Sequence, residues 1–240
     1  MALPEWQTVK VIKQIDETPM VRRYWLQFDQ PFDFKAGQFI TMDLPISEKK
    51  NKRMKSYSIA SAPDGTNVIE LIIVLVPDGE GGTRYLFNEI SEGSEIVCRG
   101  PLGNFCLPET IDKDICLIAT GTGIAPFRSY LLDLKNTQKP YNNIYLIFGT
   151  RTESDILYYR ELTMLAATMT RVHYIPTLSR SDDTWKGLKG YVHGVYESLF
   201  ADKRPAHFYL CGWKNMIDEA RMRLEAMGYA KKDIHLEIYG

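Results

Sequence analysis

The sequence has no long apolar run. Its longest aliphatic stretch, LIIVLV at residues 71–76, is far shorter than the roughly 20 residues that cross a bilayer, so no membrane span is expected. It has almost no net charge. The 29 Lys and Arg against 30 Asp and Glu leave −1 at pH 7, which argues against whole-molecule attraction to nucleic acid or an anionic membrane. The opening MALPEWQTVK lacks a basic segment followed by an apolar one, so no export signal is expected. Cysteines are few. Cys98, Cys106, Cys116 and Cys211 have no metal spacing and no C-x4-C-x2-C run, which argues against an iron–sulfur cluster and for reduced thiols in a cytoplasmic protein. His173, His193, His207 and His235 stand apart, so no zinc site is expected.

What is present divides by rhythm. The 240 residues suffice for one large domain or two small ones. The first part is rich in short β-branched and aromatic segments: WQTVKVIKQ, VRRYWLQFD, QFITMDL, SYSIAS, VIELIIVLV and EIVCRG. Turns such as DETP, PDGTN and PDGEGG separate them, and TRYLFNEI is the one short helical stretch. This predicts a six-stranded antiparallel Greek-key β-barrel over residues 1–108. The second part alternates strand and helix. ICLIAT, IYLIFGT, RVHYIPTLS, HFYLCG and IHLEIY are strands; SDILYYRELTMLAATM, with Ser154 or Asp155 as cap, HGVYESLF and KNMIDEARMRLEAM are helices. That predicts a five-stranded parallel α/β domain of Rossmann-like type over residues 109–240. Between them LPETIDKD, residues 107–114, interrupts both patterns.

The stretch ICLIATGTGIAPFRSYL at residues 115–131 is a strand, a Gly-Thr-Gly turn and a helix. Glycines admit a close backbone approach to pyrophosphate, and the helix start offers unpaired N–H groups. Pro126 suits a first helical turn. It departs from the G-x-G-x-x-G/A dinucleotide fingerprint. Taken alone, the turn fits a phosphate site and a ligand-free tight turn equally.

The remaining motifs break the tie. SYSIAS, GEGGTRYL, GPLGNF, GTGIAPFRSYL, FGTRTESDILY, LSR, YLCGWKNM and the closing EIYG occur in that order. With them the chain resembles the ferredoxin–NADP reductase superfamily of flavin enzymes. The resemblance spans nearly the whole chain and implies a flavin barrel, with FAD as its cofactor, joined to a nicotinamide nucleotide domain.

It also implies site residues. Tyr57 would lay its ring on the flavin, and Ser58 would offer its hydroxyl near the reactive nitrogen. The family has Arg where this chain has Lys55; Lys55 or Arg53 would meet the flavin pyrophosphate, the lysine as a point charge without a bidentate fork. Gly81, Gly82 and Thr83 would serve the same group, and Val74, Leu75 and Val76 would line the flavin edge or simply pack the core. On the nucleotide side, Gly121, Thr122 and Gly123 would meet the pyrophosphate. Arg151, Ser179 and Arg180, helped by Lys186 and Lys189, would reach a 2′-phosphate, which favours NADPH slightly over NADH. Tyr191 would stack on adenine. Cys211, with Gly212 beside it, would flank the nicotinamide. Glu237 would polarise the centre, and Tyr239 would cover the flavin, one residue short of Gly240.

KKNKRMK, at residues 49–55, holds five basic side chains. It reads as a solvated loop or as a docking surface for an acidic one-electron carrier such as ferredoxin or flavodoxin. The leading expectation is therefore an NAD(P)H-dependent flavoprotein reductase serving such a carrier. Direct delivery to an oxygenase, or to ferric or free-flavin acceptors, is the second. A nucleotide-sensing regulatory subunit is the third.

Overall fold

The computed structural model describes residues 3–239, of Tyr239 the backbone alone. The chain divides into two compact units. One runs to Cys106 and includes Arg128–Asp133; the other holds Leu107–Phe127 and the chain from Leu134 onward.

The first unit is an antiparallel barrel. Its strands are β1 (Gln7–Thr18), β2 (Val21–Gln27), β3 (Phe39–Asp43), β4 (Met54–Ser58), β5 (Val68–Val74) and β6 (Glu95–Leu102), in the order β4-β3-β6-β1-β2-β5. An isolated bridge between Ile59 and Leu71 joins the two ends of that order. Alternation sends Val9, Val11, Tyr24, Leu26, Ile40, Met42, Ile69, Leu71 and Ile73 inward. Two helices complete the unit, α1 (Lys50–Arg53) and α2 (Gly82–Asn88). Leu86 of α2 joins the barrel core, and its carbonyl accepts the buried Tyr24 hydroxyl at 2.9 Å. Burial pushes that phenol up to about 12.

Glu70 does not face the core. The two-residue period puts it on the opposite face of β5 from Ile69 and Leu71, yet it is only 3% exposed. One carboxylate oxygen accepts from Arg23 Nε at 2.6 Å and the other from Arg128 Nη1 at 3.0 Å. Arg128 also donates to the Ala60 carbonyl at 2.7 Å, and Arg23 to Glu17 at 3.3 Å. A buried charge needs such partners on every side.

The second unit is a parallel sheet. Its strands are β7 (Asp114–Thr120), β8 (Ile144–Thr150), β9 (Val172–Leu178), β10 (Leu188–Lys189), β11 (Ala206–Trp213) and β12 (Ile234–Tyr239), in the order β10-β9-β8-β7-β11-β12. The helices are α3 (Ala125–Thr137), whose Arg128–Asp133 stretch belongs to the first unit, α4 (Tyr159–Thr168), α5 (Val192–Leu199) and α6 (Lys214–Ala226). From β7 the order runs one way to β8 and β9 and the other way to β11 and β12. The switch point between β7 and β11 is where such sheets bind ligands, at the carboxyl ends of the strands.

Three departures from the sequence reading have physical causes. The sheet has six strands, not five. The extra strand, β10, is two exposed residues with no β-pattern of their own. It is held by Gly190 N–H to the Leu178 carbonyl at 2.8 Å and by the Trp185 indole to the Leu188 carbonyl at 2.9 Å. β1 runs on to Thr18, so that only Pro19 of the expected DETP turn remains in the turn, and Asp16 accepts from Arg22 across the hairpin at 2.6 Å. Finally, α4 starts at Tyr159, with neither Ser154 nor Asp155 as its cap. Asp155 closes a capping box with Thr152 around a separate short turn. Ile156, Leu157 and Tyr158 then dive into the core, Tyr158 with φ +53, and interrupt the helix.

Three histidines should make this unit acid-sensitive. Burial lowers the pKa of His193, His207 and His235 below 6.5; the neighbouring His207 lowers His235 further, and Lys113 lowers His207, against the opposing pull of Asp233. A depressed histidine pKa means that the unfolded chain binds more protons as pH falls. Stability is therefore fully present above about pH 6.5 and declines as pH drops through the lower, folded-state values. Carboxylates whose pKa is lowered, such as Asp218 and Glu219, lose their share only below their ordinary range of about 4. Thermal melts should thus fall between pH 7 and pH 5, and His207→Gln with His235→Gln should flatten the fall. An unchanged slope in that double variant would assign the acid sensitivity elsewhere.

Candidate active site

The nucleotide-side residues gather at the carboxyl ends of the parallel strands. β7 ends at Thr120, and a 3-10 turn, Gly121–Ile124, leads into α3, with Pro126 in its first turn. Gly121 has φ +55, a left-handed conformation that favours glycine. Gly123 is demanded by space. A Cβ there would lie 2.3 Å from the Cys211 carbonyl oxygen and 2.6 Å from the Gly212 nitrogen. Gly212 answers it, with φ +135 and a Cβ position 2.4 Å from Thr120 Oγ1. The Gly-Thr-Gly turn is thus seated directly on the β11 backbone. Thr122 is buried within it.

The neighbouring strand ends are stitched together. Ser179 N–H donates to the Thr150 carbonyl at 3.0 Å and Arg180 N–H to the Arg151 carbonyl at 2.8 Å. The Ser179 hydroxyl is directed at the same Thr150 carbonyl at 3.3 Å. Arg151 and Arg180 are exposed, and neither enters an ion pair with a described residue. Lys186 is in a different setting: it borders a recess of about 440 Å³ with Tyr159, Tyr174 and Trp185, and its amine reaches the Asp183 carbonyl at 3.3 Å. Lys189 donates to the Asp182 carbonyl at 3.1 Å. Tyr191 precedes α5 and is 75% exposed.

Cys211 and Glu237 are register partners on β11 and β12, so their side chains share a face at about the 4.8 Å strand spacing. Cys211 is fully buried and Glu237 half-buried. The backbone of Tyr239 pairs with Trp213; the Tyr239 side chain and Gly240 lie outside the described residues.

In the barrel, β4 presents Lys55 and Tyr57 on one face and Ser56 and Ser58 on the other. Ser58 is 4% exposed. Tyr57 packs against the barrel core, and burial, aided by Tyr24, raises its phenol pKa. Of the two cations in question, Lys55 lies beside the glycine turn: a Cβ on Gly82 would sit 3.0 Å from its side-chain Cγ. Its amine is paired with Glu80, whose carboxyl is held below its usual range by that bond. Arg53 instead donates to Asp43 at 2.7 Å. Gly81 has φ +98 and precedes α2. Thr83 Oγ1 accepts from the Val76 N–H at 2.9 Å, so one lone pair is used and the hydroxyl proton remains for donation. Val74, Leu75 and Val76 are half-buried beside it.

Four residues with structural roles here stand outside the sequence reading: Thr120 and Trp213 at the turn, and the buried pair Glu70 and Arg128. Arg128 left a trace, as a charge among Phe127, Tyr130, Leu131 and Leu134 on a buried helix face. Thr120 and Trp213 left none, because their roles depend on β7 and β11 lying side by side.

Two domain families match the chain. Residues 8–106 match the Oxidoreductase FAD-binding domain and residues 117–222 the Oxidoreductase NAD-binding domain. The chain belongs to the ferredoxin–NADP reductase superfamily of flavin oxidoreductases. It is 34% identical over 233 residues to ferredoxin–NADP reductase B of Sorangium cellulosum (strain So ce56), covering 92% of this chain and 93% of that one. It is 33% identical over 231 residues to the phenol hydroxylase P5 protein of Acinetobacter pittii (strain PHEA-2), covering 95% of this chain but 64% of that protein. A crystal structure of a ferredoxin NADP+ reductase from Neisseria gonorrhoeae with bound FAD and NADP shares the fold, with a TM-score of 0.81, 24% identity, and 97% and 98% of the two chains covered. No helix among the described residues is long and apolar enough to cross a membrane.

Proposed function

We propose that this chain carries FAD in its barrel, takes reducing equivalents from NADPH in preference to NADH, and passes them singly to a ferredoxin- or flavodoxin-like carrier. The observation that carries the nucleotide part is the Gly121–Gly123 turn seated against Cys211 and Gly212 at the switch point, where a bare backbone admits a pyrophosphate. The exposed guanidinium groups of Arg151 and Arg180, without an ionic partner among the described residues, support a 2′-phosphate.

A flavin, when bound, accepts a hydride as an electron pair and releases electrons one at a time. The chain's residues hold and orient it. Lys55, beside Gly82, neutralises the pyrophosphate by exchanging its exposed partner Glu80 for phosphate oxygens, and Thr83 donates its remaining proton there. Tyr57 supplies an aromatic face. Ser58 would donate near the flavin's reactive nitrogen, and Glu237 would supply a polarising carboxylate. Cys211, small and polarizable, leaves room for the nicotinamide. Val74–Val76 line the flavin edge, and Tyr191 stacks on adenine.

The acceptor reading draws on charge. Lys49, Lys50 and Lys52 are exposed, while Arg53 and Lys55 are occupied by Asp43 and Glu80. Three exposed cations that form no salt bridge among the described residues can steer an acidic carrier. Replacing all three by Gln should slow carrier reduction about tenfold at low salt and much less at high salt, with reduction of a small neutral dye unchanged. Equal loss of both activities would refute the docking role. The likeness to a phenol hydroxylase component keeps delivery to an oxygenase as the second reading. The same variant assayed with a ferredoxin, a flavodoxin and an oxygenase component identifies the acceptor class. The cofactor part is tested by releasing the flavin from purified protein: FAD in near-stoichiometric amount is expected, and FMN or none would overturn it.

A further inference from the structure

Trp213 is a large aromatic side chain, 56% exposed, at the last position of β11. Single exposed apolar residues are common; its surroundings set this one apart. Its main-chain N–H donates to Thr120 Oγ1 at 3.3 Å. Gly212, just before it, is packed against the same threonine. These contacts hold the indole beside the Gly-Thr-Gly turn, where a Cβ built on Gly121 would lie 3.5 Å from Trp213 Nε1. An indole N–H can only donate. Here it stands next to a backbone with no side chain to shield it. The turn into α3 begins at Gly121 and α6 begins at Lys214, on the adjacent paired strands β7 and β11. Neither start has a side-chain cap, so both offer first-turn N–H groups.

We infer that Trp213 is a direct binding residue for the dinucleotide: its Nε1–H donates to a pyrophosphate oxygen lying over Gly121, and its ring covers the adjoining part of the molecule. This rests on the nucleotide reading above and adds to it a donor that lies outside the glycine turn. The contact is charge-assisted, and its loss should weaken dinucleotide binding about tenfold. It should leave a fragment without phosphate untouched.

The test uses the flavin-loaded protein and the indole N–H resonances of its four tryptophans, with Trp213 identified by its disappearance in Trp213→Phe. NADP+, NAD+ and adenosine are titrated in turn. The Trp213 signal should move downfield with either dinucleotide and stay in place with adenosine. Trp213→Phe keeps a ring but loses the donor, and should bind NADP+ about tenfold more weakly; Trp213→Ala should bind it more weakly still. If NADP+ binds while the Trp213 signal stays put and Trp213→Phe binds within twofold of the parent, the inference is wrong and the nucleotide reading stands. If neither dinucleotide binds the parent protein, both fall together.

Discussion

Gly123→Ala should all but abolish use of NADPH. The new methyl group would be placed 2.3 Å from the Cys211 carbonyl oxygen and 2.5 Å from its carbon. Both are backbone atoms of a buried strand, so no side-chain rotation relieves the clash. The turn must lift from β11 by the better part of an ångström, and misplacement on that scale costs about a hundredfold in rate. Overpacking of this kind also costs about 1–3 kcal/mol of stability. Flavin content, which rests on barrel residues, should stay at the parent value. Gly194→Ala is the control. Gly194 lies in α5 with nothing within 4 Å of its missing Cβ, so alanine there should stabilise by about 0.5–1 kcal/mol and leave kinetics alone. Stopped-flow flavin reduction and thermal melts of both variants check the pair. A Gly123→Ala protein reduced at the parent rate would show that the turn does not seat the nucleotide.

Glu70→Gln is expected to be the most destabilising single change in the barrel. The carboxylate is 3% exposed and serves Arg23 and Arg128 with separate oxygens. Glutamine keeps the shape but removes the charge. The ion pair with Arg128, itself 7% exposed, then loses its negative partner. Breaking one side of such a pair costs about 3–5 kcal/mol, which lowers the melting temperature by roughly 10 °C. Arg128→Met should cost less when added to Glu70→Gln than when made alone, because the pair is already broken. The double-mutant cycle should therefore show coupling above about 1 kcal/mol. Strict additivity would mean that the two groups do not act as a pair.

These two cases also mark what the sequence could and could not reveal. All six barrel strands were legible, because alternation such as Val9–Val11 and Tyr24–Leu26 survives in one dimension. So was the Gly-Thr-Gly turn, since strand, glycine and helix follow one another along the chain. That Gly123 is compelled by Cys211, eighty-eight positions later, was not, for it depends on β7 lying beside β11. Glu70 is one polar interruption in an apolar strand, and its partners come from β2 and α3. β10 escaped notice because two exposed residues between glycines carry no period. The choice between Arg53 and Lys55 beside the glycine turn was open in the sequence. The fold puts Lys55 beside Gly82 and pairs Arg53 with Asp43, a matter of strand pairing rather than of sequence.

The central claim is that a reduced nicotinamide nucleotide bound at this turn reduces a flavin held by the same chain. An anaerobic titration of the FAD-loaded protein with NADPH, and separately with NADH, tests it directly. The visible flavin band should bleach with about one equivalent of NADPH, and faster than with NADH. A well-folded protein whose FAD stays oxidised in the presence of both nucleotides would contradict the account.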